Sequence, residues 1–403
     1  MQDVVTKVAV VGSGISGAVC AATLARNGLS VTLFDSARGP GGRMSQRRIY
    51  QEKKKKLIVE WIFVAIIIFT IGIGWKNFEI REITEDGKEL LFDHGAPYFT
   101  VTNPDVLSVV AAWESSGLVA EWKINLGSFD CFSNKFVNVE HQERQSKKYV
   151  GVPGMNSICK ALCHEPGVES KFNVGVGKFE WLENENLWLL TGLDGQNLGH
   201  FKGVVASDKN IVSPRFTEIT GQSPPLDLSL APELVKLQKI PVNPCFALML
   251  AFTDPLPMVP AQGFSFTNSK VLSWAYCESS KPGRSSTSER WVLHSTMEYA
   301  KDVIAQTGLQ KPSRETLSKV GNEMLQEFLG TGLSIRQPFF KKAHRWGSAF
   351  PAASIAKEEK CLWDEKKRLA ICGDFCVSPN VEGAILSGLA AASKLKGMLR
   401  SLF

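Results

Sequence analysis

Six residues near the amino terminus have the types and the spacing that bind a diphosphate. Residues 12–17 read Gly-Ser-Gly-Ile-Ser-Gly and follow a short apolar run, Val-Ala-Val-Val, at residues 8–11. An apolar stretch typical of a helix follows at residues 18–26, and a strand-like segment at residues 30–34 ends on Asp35. Such glycines permit a tight turn, and a helix N-terminus attracts an anion. The pattern predicts a βαβ unit that binds a dinucleotide.

Each part of this unit has a chemical role. Gly12 would permit the turn, Gly14 the approach of backbone to a pyrophosphate, and Gly17 the packing of helix against strand. Asp35 lies 23 residues after Gly12, where a carboxylate can bind both ribose hydroxyls of an adenosine. An acid there disfavours a 2′-phosphate, so FAD or NAD is expected rather than NADP. The predicted cofactor-binding residues of the unit are Gly12, Ser13, Gly14, Ile15, Ser16, Gly17, Asp35 and Ser36.

A basic, glycine-rich loop follows the second strand. Residues 38–45 read Arg-Gly-Pro-Gly-Gly-Arg-Met-Ser. Arg43 would supply the cation that two phosphates need in a partly dry site. The loop resembles that of the amine-oxidase-like FAD superfamily, in which the glycine backbone and the arginine lie beside the FAD pyrophosphate. The resemblance favours FAD over NAD and adds Gly42 and Arg43 to the predicted site.

A second motif near the carboxyl terminus resembles the closing FAD motif of the same superfamily. An apolar run at residues 369–372 precedes Gly373 and Asp374, and Asn-Val-Glu-Gly-Ala at residues 380–384 opens a helix of small residues. In the resembling proteins the aspartate holds the ribitol or phosphate side. The positive end of the helix points at the flavin edge that becomes negative on reduction, which favours hydride acceptance. The residues implied here are Gly373, Asp374, Val381, Gly383 and Ala384.

Shorter segments in the middle of the chain resemble renalase-like members of that superfamily. They are residues 93–100, 150–155, 243–250, 280–284, 291–294 and 344–346. The first adds Gly95 and Ala96 to the predicted cofactor site, and its Pro97 departs from the glutamine that relatives often carry. The resemblance implies a non-covalent FAD enzyme that passes a hydride from a small substrate to FAD and then electrons to oxygen or another acceptor. In renalase-like enzymes that substrate is a misreduced NAD(P)H isomer.

Four side chains are candidates for the substrate side, namely Tyr98, Trp274, His294 and Trp346. Aromatic rings could stack on a planar substrate and His294 could orient a polar group, although such residues are often part of a core. Lys281 and Arg284 could receive a substrate phosphate or lie in a solvated turn. No Ser-His-Asp order or acid pair suggests hydrolysis, and hydride transfer depends on positioning more than on an acid or base.

Three functions stay open at this point. The first is an FAD oxidase or dehydrogenase acting on a small molecule such as a reduced nicotinamide nucleotide. The second is an amine oxidase of the wider superfamily. The third is a flavin-binding protein without turnover. The residues alone, without the resemblance, predict an FAD redox enzyme and name no substrate.

A lysine run and an apolar stretch interrupt the cofactor-binding pattern. Residues 53–56 are four lysines, and residues 57–75 carry a single charge, Glu60. By length the stretch is a marginal membrane span, but a span would place two halves of one sheet on opposite sides of a bilayer. We interpret residues 49–81 as a hydrophobic insertion, either translated non-coding sequence or a recent gain. The alternative is membrane contact, for which the sequence offers only residues 57–75.

The composition excludes several classes of protein. The 403 residues are 44% hydrophobic, and half of the net charge of +6 comes from residues 49–81, which leaves no footprint for nucleic-acid binding. Nine scattered cysteines and six histidines show no CxxC or HExxH spacing, so we expect buried thiols, no disulfide framework and no metal. The first strand begins close to Met1, which predicts a cytoplasmic protein, or an organellar one, such as plastid, if an upstream leader is missing.

The motifs require elements that hold them together. We expect an α/β protein with a discontinuous Rossmann-like FAD-binding domain at residues 1–48, 82–105, 151–225 and 361–403. A mixed-sheet α+β substrate domain is expected at residues 106–150 and 226–360. Residues 172–179 should form one strand whose Val176 could touch adenine. Further strands are expected at residues 188–191, 203–207, 246–252, 270–276 and 291–296, and helices at 302–307 and 316–329.

Overall fold

The computed structural model of the chain describes residues 7–50, 89–138, 146–227, 234–238, 240–285 and 287–400. Most of the predicted insertion, including all of residues 57–75, lies outside these ranges. Residues 1–45 and 93–403 form one compact unit, and residues 46–92 form a second. Among the described residues, no helix combines the length and apolar character needed to cross a membrane.

The strands are β1 Lys7–Val11, β2 Ser30–Asp35, β3 Gln46–Tyr50, β4 Glu89–Asp93, β5 Val119–Glu121, β6 Leu126–Asp130, β7 Lys135–Asn138, β8 Tyr149–Gly151, β9 Val168–Phe172, β10 Val176–Leu182, β11 Leu187–Gly192, β12 Asn197–Phe201, β13 Gly203–Ala206, β14 Val242–Phe252, β15 Gly263–Thr267, β16 Leu272–Cys277, β17 Glu289–Ser295, β18 Phe340–Pro351, β19 Leu362–Asp364 and β20 Leu369–Ile371. The α-helices are α1 Ile15–Arg26, α2 Pro104–Ser115, α3 Asn156–Cys163, α4 Pro214–Thr220, α5 Val235–Gln238, α6 Met297–Thr307, α7 Arg314–Leu329, α8 Asp374–Val377 and α9 Val381–Arg400.

A six-stranded sheet in the first unit has the order β19-β20-β13-β1-β2-β9. The pairs β1–β13, β1–β2, β13–β20 and β2–β9 are parallel, and β19 runs antiparallel to β20. Val8, Ala9 and Val10 of β1 are fully buried, as expected for a strand covered on both faces. The carboxyl ends of β1, β2, β13 and β20 therefore meet at one edge, where ligands bind in folds of this kind.

Two helices bring the first and the last motif of the chain together. Helix α1 begins at Ile15, within the glycine-rich residues 12–17 and three residues before the predicted start at residue 18, and packs against α9. A Cβ atom on Gly388 of α9 would lie 2.3 Å from the carbonyl oxygen of Ser16. Any larger residue at position 388 would push the helices apart, so this glycine keeps the two motifs adjacent.

A seven-stranded mixed sheet forms the other large layer of the first unit, in the order β18-β14-β17-β16-β15-β6-β7. Its pairs are antiparallel except β15 with β6. Phe246, Leu248 and Leu293 on one face join Met324 and Phe328 of α7 in a buried apolar cluster. Because side chains alternate along a strand, the neighbouring positions point to the opposite face.

Comparison with the predicted elements gives one correction. Residues 172–179 are not one strand, because β9 ends at Phe172, β10 begins at Val176, and Asn173 between them has a φ of 59°. A left-handed residue cannot continue an extended strand. The predicted α/β class with mixed sheets is confirmed. The other expected strands are present, although β13 ends at Ala206, β16 begins at Leu272 and β17 ends at Ser295, short of their predicted bounds. Helices α6 and α7 begin before the residues predicted for them. The boundary between a cofactor domain and a substrate domain stays a prediction.

The second unit contains a two-stranded sheet of β3 and β4. Ile49 of β3 is buried, as are Leu90 and Phe92 of β4. Ile49 and Tyr50 belong to β3, so the first two residues assigned to the insertion are part of a paired strand. Any excision of the insertion should therefore begin at Gln51 rather than at Ile49.

Candidate functional site

A cavity of about 570 Å³ lies at the carboxyl edge of the six-stranded sheet. Its volume falls in the range typical of small-molecule sites. The predicted cofactor-binding residues that line it are Gly12, Gly14, Ile15, Ser16, Asp35, Ser36, Gly42, Arg43, Gly95, Ala96, Val176, Gly373, Asp374, Val381 and Ala384. Two motifs more than 300 residues apart in sequence thus share one cavity, as the resemblance implied.

The glycine-rich turn has the geometry that a diphosphate requires. Gly12 has a φ of 102°, and a Cβ on Gly17 would lie 2.0 Å from the Gly12 carbonyl oxygen, so both positions demand glycine. A Cβ on Gly14 would meet no heavy atom within 4 Å, which leaves its backbone open to the cavity. Gly17 packs against the turn and does not line the cavity. The turn therefore fits the pyrophosphate of a dinucleotide.

Asp35 is held in place before any ribose binds. Its Oδ2 accepts a hydrogen bond from the Ser13 amide at 2.7 Å and another from the Ser13 hydroxyl, and its Oδ1 accepts from the Ala37 amide at 2.7 Å. Ser13 is thus a positioning residue rather than a lining one. A carboxylate has about four lone-pair sites. The three hydrogen bonds leave one of them for a ribose hydroxyl, which can bind without any rearrangement. A second would require the Ser13 hydroxyl to rotate away.

An ion pair joins the first and the last motif. Arg43 donates from Nη1 to Asp374 Oδ2 at 2.6 Å and from Nη2 to Asp374 Oδ1 at 2.7 Å. Burial alone would lower the pKa of Arg43, but the hydrogen bonds and charge of Asp374 raise it above its ordinary value. The guanidinium stays charged, yet the pair as a whole is neutral. The cation expected from the sequence is therefore shared with an acid of the same site.

Sequence reasoning missed the loop that follows β13, residues 207–210. Ser207, Asp208, Lys209 and Asn210 all line the cavity. The Ser207 hydroxyl lies 3.1 Å from the Val11 carbonyl and 3.0 Å from the Gly12 carbonyl and so supports the turn. A signal was present, since polar residues follow directly on an apolar parallel strand, and that end of a strand is where ligands bind in this fold.

Gly383 is a packing residue rather than a lining one. A Cβ at this position would lie 2.4 Å from the Ser378 carbonyl oxygen. The Gly383 amide donates to Asn380 Oδ1 at 2.7 Å, which fixes the start of α9 beside the cavity. Asn380, Val381 and Ala384 face the cavity from this helix start.

One face of the seven-stranded sheet carries most of the residues predicted for the substrate side. The residues that share this face are Cys245, Ala247, Trp274, His294, His344 and Trp346. Cys245 pairs with Trp346, Ala247 pairs with both His294 and His344, and Trp274 pairs with His294. Residues paired across a sheet point the same way. Of the four predicted substrate-side residues, His294 and Trp346 line the cavity, and Trp274 stands next to His294 on the same face.

The carbonyl oxygen of His94 fixes this face in position. It accepts hydrogen bonds from His294 Nε2 at 3.2 Å and from Trp346 Nε1 at 3.0 Å. The His94 ring lies 4.9 Å from the Trp346 ring and 4.8 Å from the His344 ring. Burial lowers the pKa of His294 to about 4, so its imidazole is neutral at pH 7. His294 and Trp346 thus form an aromatic wall that is uncharged at pH 7 and is held by the His94 carbonyl.

The structure does not bring Tyr98 to this wall. Its ring lies 6.1 Å from that of Trp122, and it is not among the residues lining the cavity. His94, Cys245 and His344 were missed as candidates. Their strand register relative to His294 and Trp346 is the signal that could have identified the last two, but register depends on pairing that sequence patterns do not reveal.

Four buried charged residues form one ion network, Asp93, Glu278, Lys281 and Arg284. Lys281 Nζ lies 2.6 Å from Glu278 Oε2 and 3.4 Å from Asp93 Oδ2. Arg284 Nε lies 2.9 Å from Glu278 Oε1, and its Nη2 also pairs with Asp93. All four side chains are at most 1% exposed. Lys281 and Arg284 are therefore neither in a solvated turn nor open to a substrate phosphate.

This network connects three of the short motifs, at residues 93–100, 150–155 and 280–284. The Met155 amide donates to Asp93 Oδ1 at 3.0 Å, and Arg284 donates to the Gly151 carbonyl at 3.1 Å. Burial would raise the pKa of Asp93, but the charges of Lys281 and Arg284 hold it below its ordinary value. Asp93 directly precedes His94, so the network sets the position of the carbonyl that anchors His294 and Trp346.

Comparisons with known proteins place the chain in a family. The family described as an NAD(P)-binding Rossmann-like domain matches residues 10–66. The family described as flavin containing amine oxidoreductase matches residues 102–396, well over half of the chain.

The cysteines at positions 159, 163, 372 and 376 are buried free thiols, as expected. Among the described residues, no group of three or more His, Cys, Asp or Glu side chains could hold a metal ion.

Solved structures with the same fold span nearly the whole chain. A proposed protoporphyrinogen oxidase from Exiguobacterium sp. 255-15 has a TM-score of 0.63 at 10% identity and covers 98% of each chain. Putrescine oxidase bound to putrescine has a TM-score of 0.57 at 12% identity, with 96% of this chain and 98% of that chain covered. An oxidoreductase from Methanosarcina mazei has a TM-score of 0.53 at 13% identity, covering 95% and 99%. The chain belongs to the flavin containing amine oxidoreductase family and is an FAD-dependent oxidoreductase.

Proposed function

We propose that the protein binds FAD without a covalent bond and oxidises a reduced nicotinamide nucleotide, in the manner of the renalase-like enzymes that its motifs resemble. The observation that carries this proposal is the aromatic, uncharged wall of His294 and Trp346, which faces the same cavity as the two FAD motifs. A planar dihydronicotinamide ring suits such a wall because aromatic faces stack on planar partners.

Different residues around the cavity would bind different parts of FAD. The turn at residues 12–17 would hold the pyrophosphate, Asp35 the adenosine ribose, and Arg43 with Asp374 the phosphate or ribitol side. FAD, once bound, accepts a hydride and passes its electrons to oxygen or to another acceptor. The start of α9 supplies its positive end next to the cavity, where it stabilises developing negative charge.

The substrate wall supports positioning rather than proton transfer. His294 is neutral and donates from Nε2 to the His94 carbonyl, so it is not available as a cationic acid at pH 7. A reduced nicotinamide donates a hydride from carbon and needs no base, which matches a wall without an ionised group. An aromatic wall also keeps water away from the reacting carbon.

Two cysteine observations support non-covalent binding. Residues 345–354, where covalent relatives carry their cysteine, contain none. Cys245 lines the cavity, but burial raises the pKa of its thiol to about 12, so it is not a thiolate nucleophile at pH 7.

An amine oxidase is the second candidate, because the matching family is named for amine substrates. An alkylamine is a cation at neutral pH and binds most readily beside a carboxylate or in an aromatic cage. The cavity-lining acids Asp35, Asp208 and Asp374 belong to the cofactor edge, and Cys245, His294 and Trp346 on the substrate side carry no negative charge. The lack of a carboxylate among these three residues favours the nicotinamide proposal, whereas their aromatic rings suit either substrate.

Anaerobic reduction of the FAD-loaded protein separates the candidates. The protein is mixed with 2-, 4- and 6-dihydro isomers of NAD(P)H, and separately with putrescine and benzylamine, and the flavin absorbance is followed. We expect fast bleaching by at least one dihydronicotinamide, and hydrogen peroxide after oxygen is admitted. Fast bleaching by an amine and none by the nicotinamides would establish the amine oxidase instead. No bleaching by any of them would leave a flavin-binding protein without turnover.

A variant on the substrate wall links the outcome to this site. Trp346→Leu removes the aromatic face and the hydrogen bond to His94, and we expect bleaching by the active substrate to slow at least tenfold while FAD remains bound. Trp363→Leu in β19, away from the cavity lining, is the matched control. Equal rates in both variants would contradict the assignment of the substrate side.

A further inference from the structure

Lys209 is a cation at the cofactor edge that the motifs do not account for. It lies in the loop at residues 207–210 that follows β13, at the start of the 3-10 helix Lys209–Val212, and lines the same cavity as Gly12, Arg43 and Asp374. Among the described residues, the structure gives its ammonium group no hydrogen bond and no ion pair. A partly buried ammonium without a partner is costly unless a ligand supplies one.

The neighbouring acids are engaged elsewhere. Asp208 caps the 3-10 turn by accepting from the Asn210 amide at 2.9 Å and from its side-chain amide at 3.3 Å. Asp374 is held by Arg43 through two hydrogen bonds of 2.6 and 2.7 Å. Burial lowers the pKa of Lys209, and the charges of Arg43 and Arg215 lower it further against the opposing effect of Asp208 and Asp374. Among the described residues, neither acid forms a hydrogen bond or an ion pair with Lys209, so the partner of its ammonium group is left to a ligand.

A diphosphate is the anion that this arrangement fits. The Arg43–Asp374 pair is neutral overall, so the motif arginine does not by itself balance two phosphate charges. Gly14, whose backbone is open, and Lys209 line the same cavity as the Arg43–Asp374 pair that joins the two motifs. We propose that Lys209 provides the second, unshared positive charge for the FAD pyrophosphate. This inference depends on FAD binding and not on the substrate proposed above.

A phosphate of a nucleotide substrate is the other source of the same chemistry. The position of Lys209 favours the cofactor, because it follows β13 at the edge formed with β1 and β20, whose ends carry the two FAD motifs. The substrate wall of Cys245, His294 and Trp346 lies on the other sheet. The two sources can be distinguished by ligands that carry or lack the pyrophosphate.

The test compares flavins on the full-length protein after its flavin has been removed. FAD and riboflavin are titrated into wild type, Lys209→Met and Lys209→Arg by quenching of flavin fluorescence. A hydrogen bond to a charged group predicts that Lys209→Met weakens FAD binding about ten- to hundredfold, while riboflavin affinity stays within about twofold. Lys209→Arg should recover most of the FAD affinity. Lys178→Met, at an exposed lysine of β10, is the control and should change neither.

Any of the following results would overturn the assignment of Lys209 to the FAD pyrophosphate. An equal loss for FAD and riboflavin in Lys209→Met would mean that the residue shapes the cavity as a whole. Unchanged FAD affinity with a raised KM for a nucleotide substrate would move the phosphate to the substrate. Unchanged affinity for both flavins and unchanged KM would remove Lys209 from phosphate binding altogether. Far-UV circular dichroism of each apo-protein shows whether a weakened variant is still folded.

Discussion

Replacing Lys281 with Met should destabilise the protein severely, because the change leaves two buried carboxylates with one cation. Met preserves most of the side-chain volume, so the principal loss is charge. The two acids and Arg284 are at most 1% exposed, and Lys281 Nζ lies 2.6 Å from Glu278. Removing one partner from a buried ion pair costs about 3–5 kcal/mol. That is a large part of a typical total stability of about 5–15 kcal/mol.

The double variant Glu278→Gln/Lys281→Met tests whether charge is the cause. It removes one charge of each sign and leaves the Asp93–Arg284 pair balanced, so it should lose at least about 1 kcal/mol less than Lys281→Met alone. Arg336→Met is the matched control, since Arg336 pairs with Asp254 at 3.1 Å on the surface with side chains 67% and 62% exposed. Such exposed pairs contribute only about 0–1 kcal/mol.

The pH dependence of the single variant adds a second criterion. Burial and the charge of Asp93 already raise the pKa of Glu278 above its ordinary value, and loss of Lys281 raises it further. A raised folded-state pKa means that the protonated acid is tolerated at low pH and that stability is lost as pH rises through that pKa. Urea unfolding of Lys281→Met at one FAD concentration should therefore show a larger deficit at pH 8 than at pH 5. A pH-independent deficit, with the double variant as unstable as the single, would refute the electrostatic reasoning and indicate lost packing.

Four further outcomes are expected. The purified protein should be yellow, with about one FAD that acid precipitation releases into the supernatant; colour retained in the pellet would contradict non-covalent binding. Asp35→Ala should weaken FAD binding roughly ten- to hundredfold in a fluorescence titration, and unchanged affinity would mean that the βαβ unit is misassigned. His294 has a folded-state pKa of about 4, so the stability that its neutral form contributes is complete above pH about 6.5 and falls by about 3 kcal/mol toward pH 4. His294→Asn should reduce this loss of stability at acid pH, measured by urea unfolding. An unchanged loss would mean that other groups cause it. Deletion of residues 51–81 should raise soluble yield and FAD occupancy, since an apolar stretch of this length is an aggregation hazard, whereas precipitation, or loss of an activity that liposomes stimulate in the full chain, would show that the segment is functional.

Local patterns were sufficient to predict the cofactor edge. The apolar strand, the glycine spacing and Asp35 specify a βαβ unit because their requirements are met within 30 consecutive residues. The Gly373–Asp374 motif could be joined to them because the resembling superfamily pairs the same two patterns. In both cases the chemistry depends on backbone conformation and on a strand end, which short-range sequence determines.

Contacts between distant segments could not be predicted from the sequence. Nothing in the composition shows that Asp374 neutralises Arg43, that Lys209 stands beside them, or that Lys281 and Arg284 are buried with Asp93 rather than solvated. The same holds for the substrate wall, where Trp346 and His294 meet because β14 pairs with both of their strands while Tyr98 packs on Trp122 instead. The amino-acid sequence by itself determined which residues can bind a dinucleotide. Only the tertiary structure decided which charges are shared, buried or left for a ligand, because charge balance depends on distances between residues that lie far apart along the chain.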